Sequence, residues 1–392
     1  MPFPFRDEID EVMARLTLTR QGVAIVVAGV ICIVVGRTFG IIELYVISAA
    51  CVAAVAVGVA YVWIRLPSVE ATRWIHPSLL VVGDVGRVDI RLHHSGRIAS
   101  APFVLEEPVV RASADDQVAR LPVPALPGGA SSSSGYRVPT AARGTISVGP
   151  LRVILGDALG LARSRTEIAE VDEIVVAPRT VALDMPELGR GILGRALLES
   201  ARRIGPGDFH GLREYAVGDE PRTIHWRASA RADDLMVKQH TVEGLHQCTV
   251  VFDAALDAHG SRANFERGVT AAASLVNSAA QSGLPTRFVT AGGIDLRGPE
   301  VAASTLRVLA RIEPTESALA PLDADMVDGL VLLVVVTGSR SSGAWRAASS
   351  VSDPTITKVS ITTADEVSHR LGVVARSDQD FVSGWQWLVG RP

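Results

Sequence analysis

Cysteine is scarce in this 392-residue chain: Cys32, Cys51 and Cys248 are too few for a disulfide scaffold. Cys32 and Cys51 fall inside apolar runs and Cys248 opens a strand-like run, so all three read as small buried hydrophobes. Positive charge is not in excess either. With 38 Lys plus Arg against 42 Asp plus Glu, the net charge of -4 excludes a general nucleic-acid-coating surface, and no nucleic-acid partner is expected. The chain has no Gly-Lys-Ser or Gly-Lys-Thr, so Gly189, Gly191 and Gly194 do not form a phosphate loop. His210, His225 and His240 lie among Asp208, Asp219, Asp233 and Asp234 but lack His-Glu-x-x-His spacing. Ser229 has no Gly-x-Ser-x-Gly elbow, and Cys248 has no evident base beside it. No catalytic residue is therefore assigned and no cofactor is expected. A membrane-associated metal-dependent hydrolase built on the acidic and histidine-rich stretch stands as the alternative enzyme class.

Apolar residues are plentiful: the chain is 48% hydrophobic with a mean hydropathy of +0.28, too apolar for a disordered protein. The excess is concentrated near the N-terminus. QGVAIVVAGVICIVVG lies uncharged between Arg20 and Arg37, and LYVISAACVAAVAVGVAYVWI runs from Leu44 to Ile64. At 1.5 Å per residue the second run crosses a roughly 30 Å hydrocarbon layer, and the first does so with its flanking arginines snorkelling. A two-span hairpin is the expected arrangement; a signal peptide or a buried helical pair are the alternatives. Arg6, Arg15 and Arg20 precede the hairpin, Arg65 and Arg73 follow it, and its turn holds only Arg37. The positive-inside tendency then places both ends in the cytoplasm, predicting a multi-pass cell-membrane protein with cytoplasmic soluble domains and lipid around the spans.

From Ser68 to Val176 the pattern changes to short alternating runs such as VVGDVGRVDIRLHH, APFVLEEPVV, GTISVG and LRVIL, broken by Gly, Pro and Asp. These predict a β-rich sandwich-like domain or an open barrel. PALPGGASSSS, 124–134, reads as a flexible loop. After Gln247, CTVVFDAA, LPTRFVTA, LVLLVVVTG and ITKVSITT alternate with helical patterns at 265–283 and 302–312, which predicts an α/β layer with LVLLVVV at the centre of its sheet. MPELGRGILGRALLESARR reads either as an amphipathic helix weakened by its glycines or as an irregular connector.

The most specific stretch is GDFHGLREYAVGDEPRTIHWRASARADDLMVKQHTVEG, 207–244. Gly207, Gly211, Leu212, Arg213, Tyr215, Gly218, Asp219, Arg222, Ile224, Trp226, Ala230, Arg231, Leu235 and Lys238 together resemble the signature of the domain-of-unknown-function 58 family. DALGLARSR, 157–165, is also similar to a segment of that family. The resemblance implies a membrane hairpin, a β-rich domain and a C-terminal domain like von Willebrand factor A. It also implies association with MoxR-type AAA ATPases, and it supplies no established activity.

The resulting division is 1–66 for the leader and hairpin, 67–178 for the β-rich domain, 179–246 for the signature connector and 247–392 for the α/β domain. Within the signature, Arg213 and Arg222 offer guanidinium hydrogen bonds to Glu214, Asp219 or Glu220, while Tyr215 and Trp226 offer amphipathic rings. With Arg231 and Lys238 these residues form either a buried structural network or a partner interface. Adhesion-site members of the von Willebrand group carry Asp-x-Ser-x-Ser after the first strand, where this chain has Asp253-Ala254-Ala255-Leu256-Asp257. Asp253 keeps the first position and Asp257 offers a carboxylate in place of a hydroxyl. Two lost hydroxyls favour a degenerate, metal-independent scaffold, so Asp253→Ala is expected to leave folding nearly unchanged. The function expected is noncatalytic assembly or adaptor work for envelope-associated processes, with a purely structural scaffold as a further alternative.

Overall fold

The computed structural model describes residues 16–77, 79–111, 116–204, 209–216, 224–231, 234–240, 245, 247–290, 293–315, 330–365 and 369–390. They belong to two compact units that divide between Val176 and Ala177.

The first unit opens with a short strand, β1 (Leu16–Leu18), followed by helices α1 (Arg20–Phe39) and α2 (Ile42–Arg65). The Thr19 hydroxyl caps α1 by accepting from Gly22 N, and Gly40, at φ 71, reverses the chain into α2. Both helices are long and apolar enough to cross a membrane. The buried residues of α1 are Gly22, Gly29 and Gly36, spaced so that every second turn presents a backbone with no side chain to the same side. Gly29 meets Ser48 and Cys51, and Gly36 meets Leu44 and Tyr45, which brings the helices close. Gly29 and Gly36 thus serve contact inside the hairpin, while a Cβ on Gly22 would meet the Leu161 carbonyl instead.

Ten strands follow: β2 (Val69–His76), β3 (Leu80–Val81), β4 (Gly86–His94), β5 (Phe103–Arg111), β6 (Gln117–Val123), β7 (Ser131–Val138), β8 (Gly144–Val148), β9 (Leu151–Gly156), β10 (Ala162–Ala169) and β11 (Asp172–Ala177). One antiparallel sheet runs β2-β4-β7; the larger runs β1-β10-β9-β5-β8-β11-β3, with β6 paired to β5. Val88, Ile90 and Leu92 of β4 share one apolar core with Leu105, Val148, Val153 and Leu155 of the other sheet. The alternation that gave the strands away is this inward face. Val62 of α2 is fully buried in the same core, with Val59 packed against it.

Two expectations change here. Ser131, Ser132, Ser133 and Ser134 are not loop: they lie in β7, opposite His93, Leu92, Arg91 and Ile90 of β4, because the ladder supplies order that polar composition alone does not suggest. Arg73 is no free membrane-flanking charge. Its guanidinium is buried between the sheets, paired to Glu107 of β5 and Asp172 of β11.

The second unit comprises α3 (Gly191–Ile204), β12 (Phe209–Glu214), α4 (Trp226–Ser229), β13 (Met236–His240), β14 (Gln247–Phe252), α5 (Leu256–His259), α6 (Arg262–Gln281), β15 (Thr286–Thr290), β16 (Asp295–Arg297), α7 (Val301–Arg311), β17 (Val331–Thr337), α8 (Gly343–Ser350), β18 (Ile356–Thr362), β19 (Gly372–Val374) and α9 (Asp378–Val389). Six strands form a sheet in the order β16-β15-β14-β17-β18-β19, parallel except for β16 at its edge. The LVLLVVV run is β17, buried throughout between β14 and β18, as its unbroken apolar sequence predicts. The glycine-weakened segment resolves into both of its readings: 178–190 is irregular and α3 begins at Gly191. Ser274 and Ser278 of α6 accept from Val181 N and Leu183 N, and buried Trp385 of α9 donates to the Asp184 carbonyl at 2.8 Å. Those contacts hold the irregular stretch against the unit.

Candidate functional site

Chain order in the six-stranded sheet reverses between β14 and β17: from β14 it proceeds outward to β15 and β16, then returns to β17 on the other side. At such a switch point the carboxyl ends of neighbouring strands open a crevice. Asp253 directly follows β14 there, and Thr337 ends β17. Asp253 is only 3% exposed, and its Oδ2 accepts from the Thr337 hydroxyl at 2.8 Å. Thr337 has one hydroxyl proton, so it accepts from Ser342 across 2.9 Å, while Ser342 accepts from Trp345 N and caps α8. Asp253 Oδ1 accepts from Ala255 N at 3.2 Å. The carboxylate is therefore occupied by a directed relay from the α8 N-terminus through two hydroxyls.

His259 closes the other side. Its Nε2 lies 2.8 Å from the Asp253 carbonyl, which can only accept, so Nε2 carries the proton and Nδ1 accepts from the Thr363 hydroxyl at 2.9 Å. The ring packs between Phe252 and Phe265, and burial pushes its pKa below the ordinary histidine value. Asp365 of the loop after β18 accepts from Arg340 N at 3.1 Å, and the Arg340 guanidinium stacks over Trp345 at 4.4 Å. Asp257, the second acidic candidate, is exposed in α5. Among the described residues no group of three or more His, Cys, Asp or Glu is arranged to hold a metal ion. Asp253 and the hydroxyls of Thr337 and Ser342 bond one another, which gives Asp253 a structural task that the sequence does not reveal. Its removal is accordingly expected to cost stability. Cys248, buried in β14, has its thiol pushed up to about 12 by desolvation, as suits a small core residue.

The signature forms a separate two-stranded hairpin, β12 against β13. Leu212 lies opposite Lys238, Arg213 opposite Val237, and Glu214 opposite Met236. Tyr215 is half-buried and its N–H donates to the Leu235 carbonyl at 2.7 Å. Ile224 bridges to Val237, and His225 N donates to Met236 O, bringing α4 against β13. His225 Nδ1 accepts from Ala228 N at 3.0 Å, capping α4. The Ser229 hydroxyl donates to the His225 carbonyl and accepts from Met236 N at 2.8 Å. Two residues weighed from sequence as catalytic candidates thus hold a turn. The turn presents Trp226, which is 66% exposed, so its ring is not the core of a buried network. Leu212 and Leu235 are also exposed, as is Arg231, while Val237 is buried. Asp219 and Arg222 lie outside the described residues, as does Glu220.

These features define a chain with two N-terminal apolar helices, a β-rich unit and an open α/β unit preceded by a hairpin that displays a tryptophan. The family described as Protein of unknown function DUF58 matches residues 211–318, which include Trp226 and Asp253. That match supports the resemblance carried by the signature. No curated protein matches the chain. Among solved structures, a beta-glucosidase from Listeria innocua is similar at 15% identity and a TM-score of 0.22, covering 29% of this chain and 16% of the glucosidase. A CARDB domain from Pyrococcus furiosus, solved with di-metal ions, is similar at 8% identity and a TM-score of 0.20, covering 29% of this chain and 97% of that domain. The chain spans about a sixth of the glucosidase's length. Similarity at these TM-scores bears on neither the fold nor the chemistry of this chain.

Proposed function

We propose that this is a membrane-anchored, noncatalytic assembly or adaptor protein for envelope-associated processes, and that a MoxR-type AAA ATPase is its partner. The observation that carries the reading is Trp226: a large ring left exposed on a turn whose backbone is fixed by His225 and Ser229. A rigidly presented tryptophan anchors an interface because it gives apolar area at little entropic cost. The α/β unit is read as a von Willebrand factor A-like domain; the strand order β16-β15-β14-β17-β18-β19 with an antiparallel edge supports this. In that reading the Asp253 position is a degenerate adhesion site used for internal bonding. The two apolar helices are read as membrane spans, with the soluble units on the cytoplasmic side, since Arg20 and Arg65 flank the open end of the hairpin.

A photocrosslinking residue at position 226, introduced into the full chain in intact membranes, tests the reading. The adaptor account expects one dominant crosslinked ATPase. Crosslinks to lipid alone, or none, contradict it.

A further inference from the structure

The loop between β9 and β10 touches both apolar helices at one level. A Cβ on Gly22 of α1 would overlap the Leu161 carbonyl, and one on Gly58 of α2 would lie 3.3 Å from the Asp157 carboxyl carbon. Thr19, just before α1, donates its hydroxyl to the Gly160 carbonyl, and its N–H donates to Leu161 O at 3.0 Å. Below that level α2 belongs to the β-rich core through Val59 and Val62, and Arg65 donates to the Ala99 carbonyl at 3.0 Å. The helices and the β-rich unit are thus joined by direct packing.

This fixes a height. Above Gly58 the helix runs from Ile42 to Val57, sixteen residues that at 1.5 Å each reach about 24 Å, short of a hydrocarbon layer of roughly 30 Å. A hairpin that reaches the far interface must therefore draw the Asp157–Leu161 loop down to the near one. Asp157 sets the limit of that movement. Its carboxylate, bonded to Leu159 N at 2.8 Å and Ala162 N at 2.6 Å, is too costly to carry into hydrocarbon. The surroundings suit the headgroup layer. Leu159 is 65% exposed at the loop tip and Ile98 is 60% exposed beside the Arg65 contact. Tyr61 and Trp63 are exposed on the last turns of α2, and Arg20, Arg65 and Arg97 are exposed around them. Aromatic rings and arginines at this depth match an interfacial belt facing anionic headgroups.

We infer that the β-rich unit is seated on the bilayer itself: Leu159 and Ile98 insert into the interface, and Arg20, Arg65 and Arg97 face anionic lipid phosphates. The inference rests on the reading of α1 and α2 as membrane spans. To test it, the full chain with Cys32→Ala, Cys51→Ala and Cys248→Ala is given a single cysteine by Leu159→Cys, Ile98→Cys, Val34→Cys or Val118→Cys. Each is labelled with an environment-sensitive fluorophore after reconstitution into phosphatidylcholine vesicles with or without phosphatidylglycerol. Val34 is exposed within α1, and Val118 is exposed on β6 opposite Pro108, five residues along β5 from Phe103, or about 17 Å. The inference expects labels at 159 and 98 to be quenched by lipids brominated near the headgroup. It also expects them to be several-fold less accessible to aqueous iodide than the label at 118, with the protection greater when phosphatidylglycerol is present. If the label at 34 lies among acyl chains while those at 159 and 98 match 118, the seating is wrong and the spans stand. If the label at 34 is also aqueous, the spanning reading fails and the inference with it. Protection from iodide without quenching by brominated lipid would mean that protein covers the loops, and would overturn it.

Discussion

Replacing Asp253 by alanine separates a structural from a vestigial carboxylate. The wild-type side chain accepts from the Thr337 hydroxyl and from Ala255 N, and Thr337 has no exposed surface from which to find water. Removing a hydrogen bond to a charged group costs about 1.5–3 kcal/mol, and the buried Thr337 hydroxyl is left with Ser342 as its partner. The unit from Ala177 to Pro392 falls in the size range where 1 kcal/mol moves Tm by about 2–4 °C, so Asp253→Ala is expected to lower its transition by about 3–12 °C. Thermal unfolding of the detergent-solubilised chain, with amide exchange read at β14 and β17, provides the assay. Asp253→Asn retains an acceptor and is expected to lose less. An Asp253→Ala transition within about 1 °C of wild type would refute the relay. Stabilisation by Mg2+ that the variant lacks would instead restore a cation to the site.

Further outcomes follow from other buried groups. Arg73→Ala removes the guanidinium paired with buried Glu107, and is expected to destabilise the β-rich unit by about 3–5 kcal/mol in denaturant unfolding. His259 is held neutral in the fold while the unfolded chain takes up a proton near its ordinary pKa of about 6.5. Its contribution is therefore full above that pH and is lost as pH falls below it; His259→Gln is expected to flatten the difference in Tm between pH 7.5 and pH 5.5. Cys248 is expected to resist maleimide in the folded chain and to react on unfolding, as mass spectrometry of the labelled peptide would show.

Long-period features were legible in the sequence. The two apolar helices, the alternating strands and the buried LVLLVVV strand each follow from a hydrophobic pattern that burial imposes directly. Contacts between distant segments were not. Nothing in the spacing of Asp253 and Thr337 announces that parallel pairing of β14 with β17 brings them to one edge. The strand identity of Ser131–Ser134 depends on β4, and Arg73 reads as a flanking charge until Glu107 is seen beside it. The seven-residue recurrence of Gly22, Gly29 and Gly36 was present in the sequence, but its partners became apparent only in the fold: α2 for Gly29 and Gly36, and the Leu161 carbonyl for Gly22. In the signature, residue chemistry marked a segment that the family match also covers from residue 211, without assigning the tasks. Trp226 is displayed, whereas His225 and Ser229 build the turn that displays it.

The adaptor reading is tested most directly by quantitative co-purification from intact membranes, comparing wild type with Trp226→Ala at equal expression and equal folded fraction. Since Trp226 is exposed, the substitution is expected to change stability by no more than about 0.5 kcal/mol. The account predicts that a MoxR-type ATPase recovered with the wild type is lost with the folded variant. Equal recovery from both, or no ATPase from either, would contradict it.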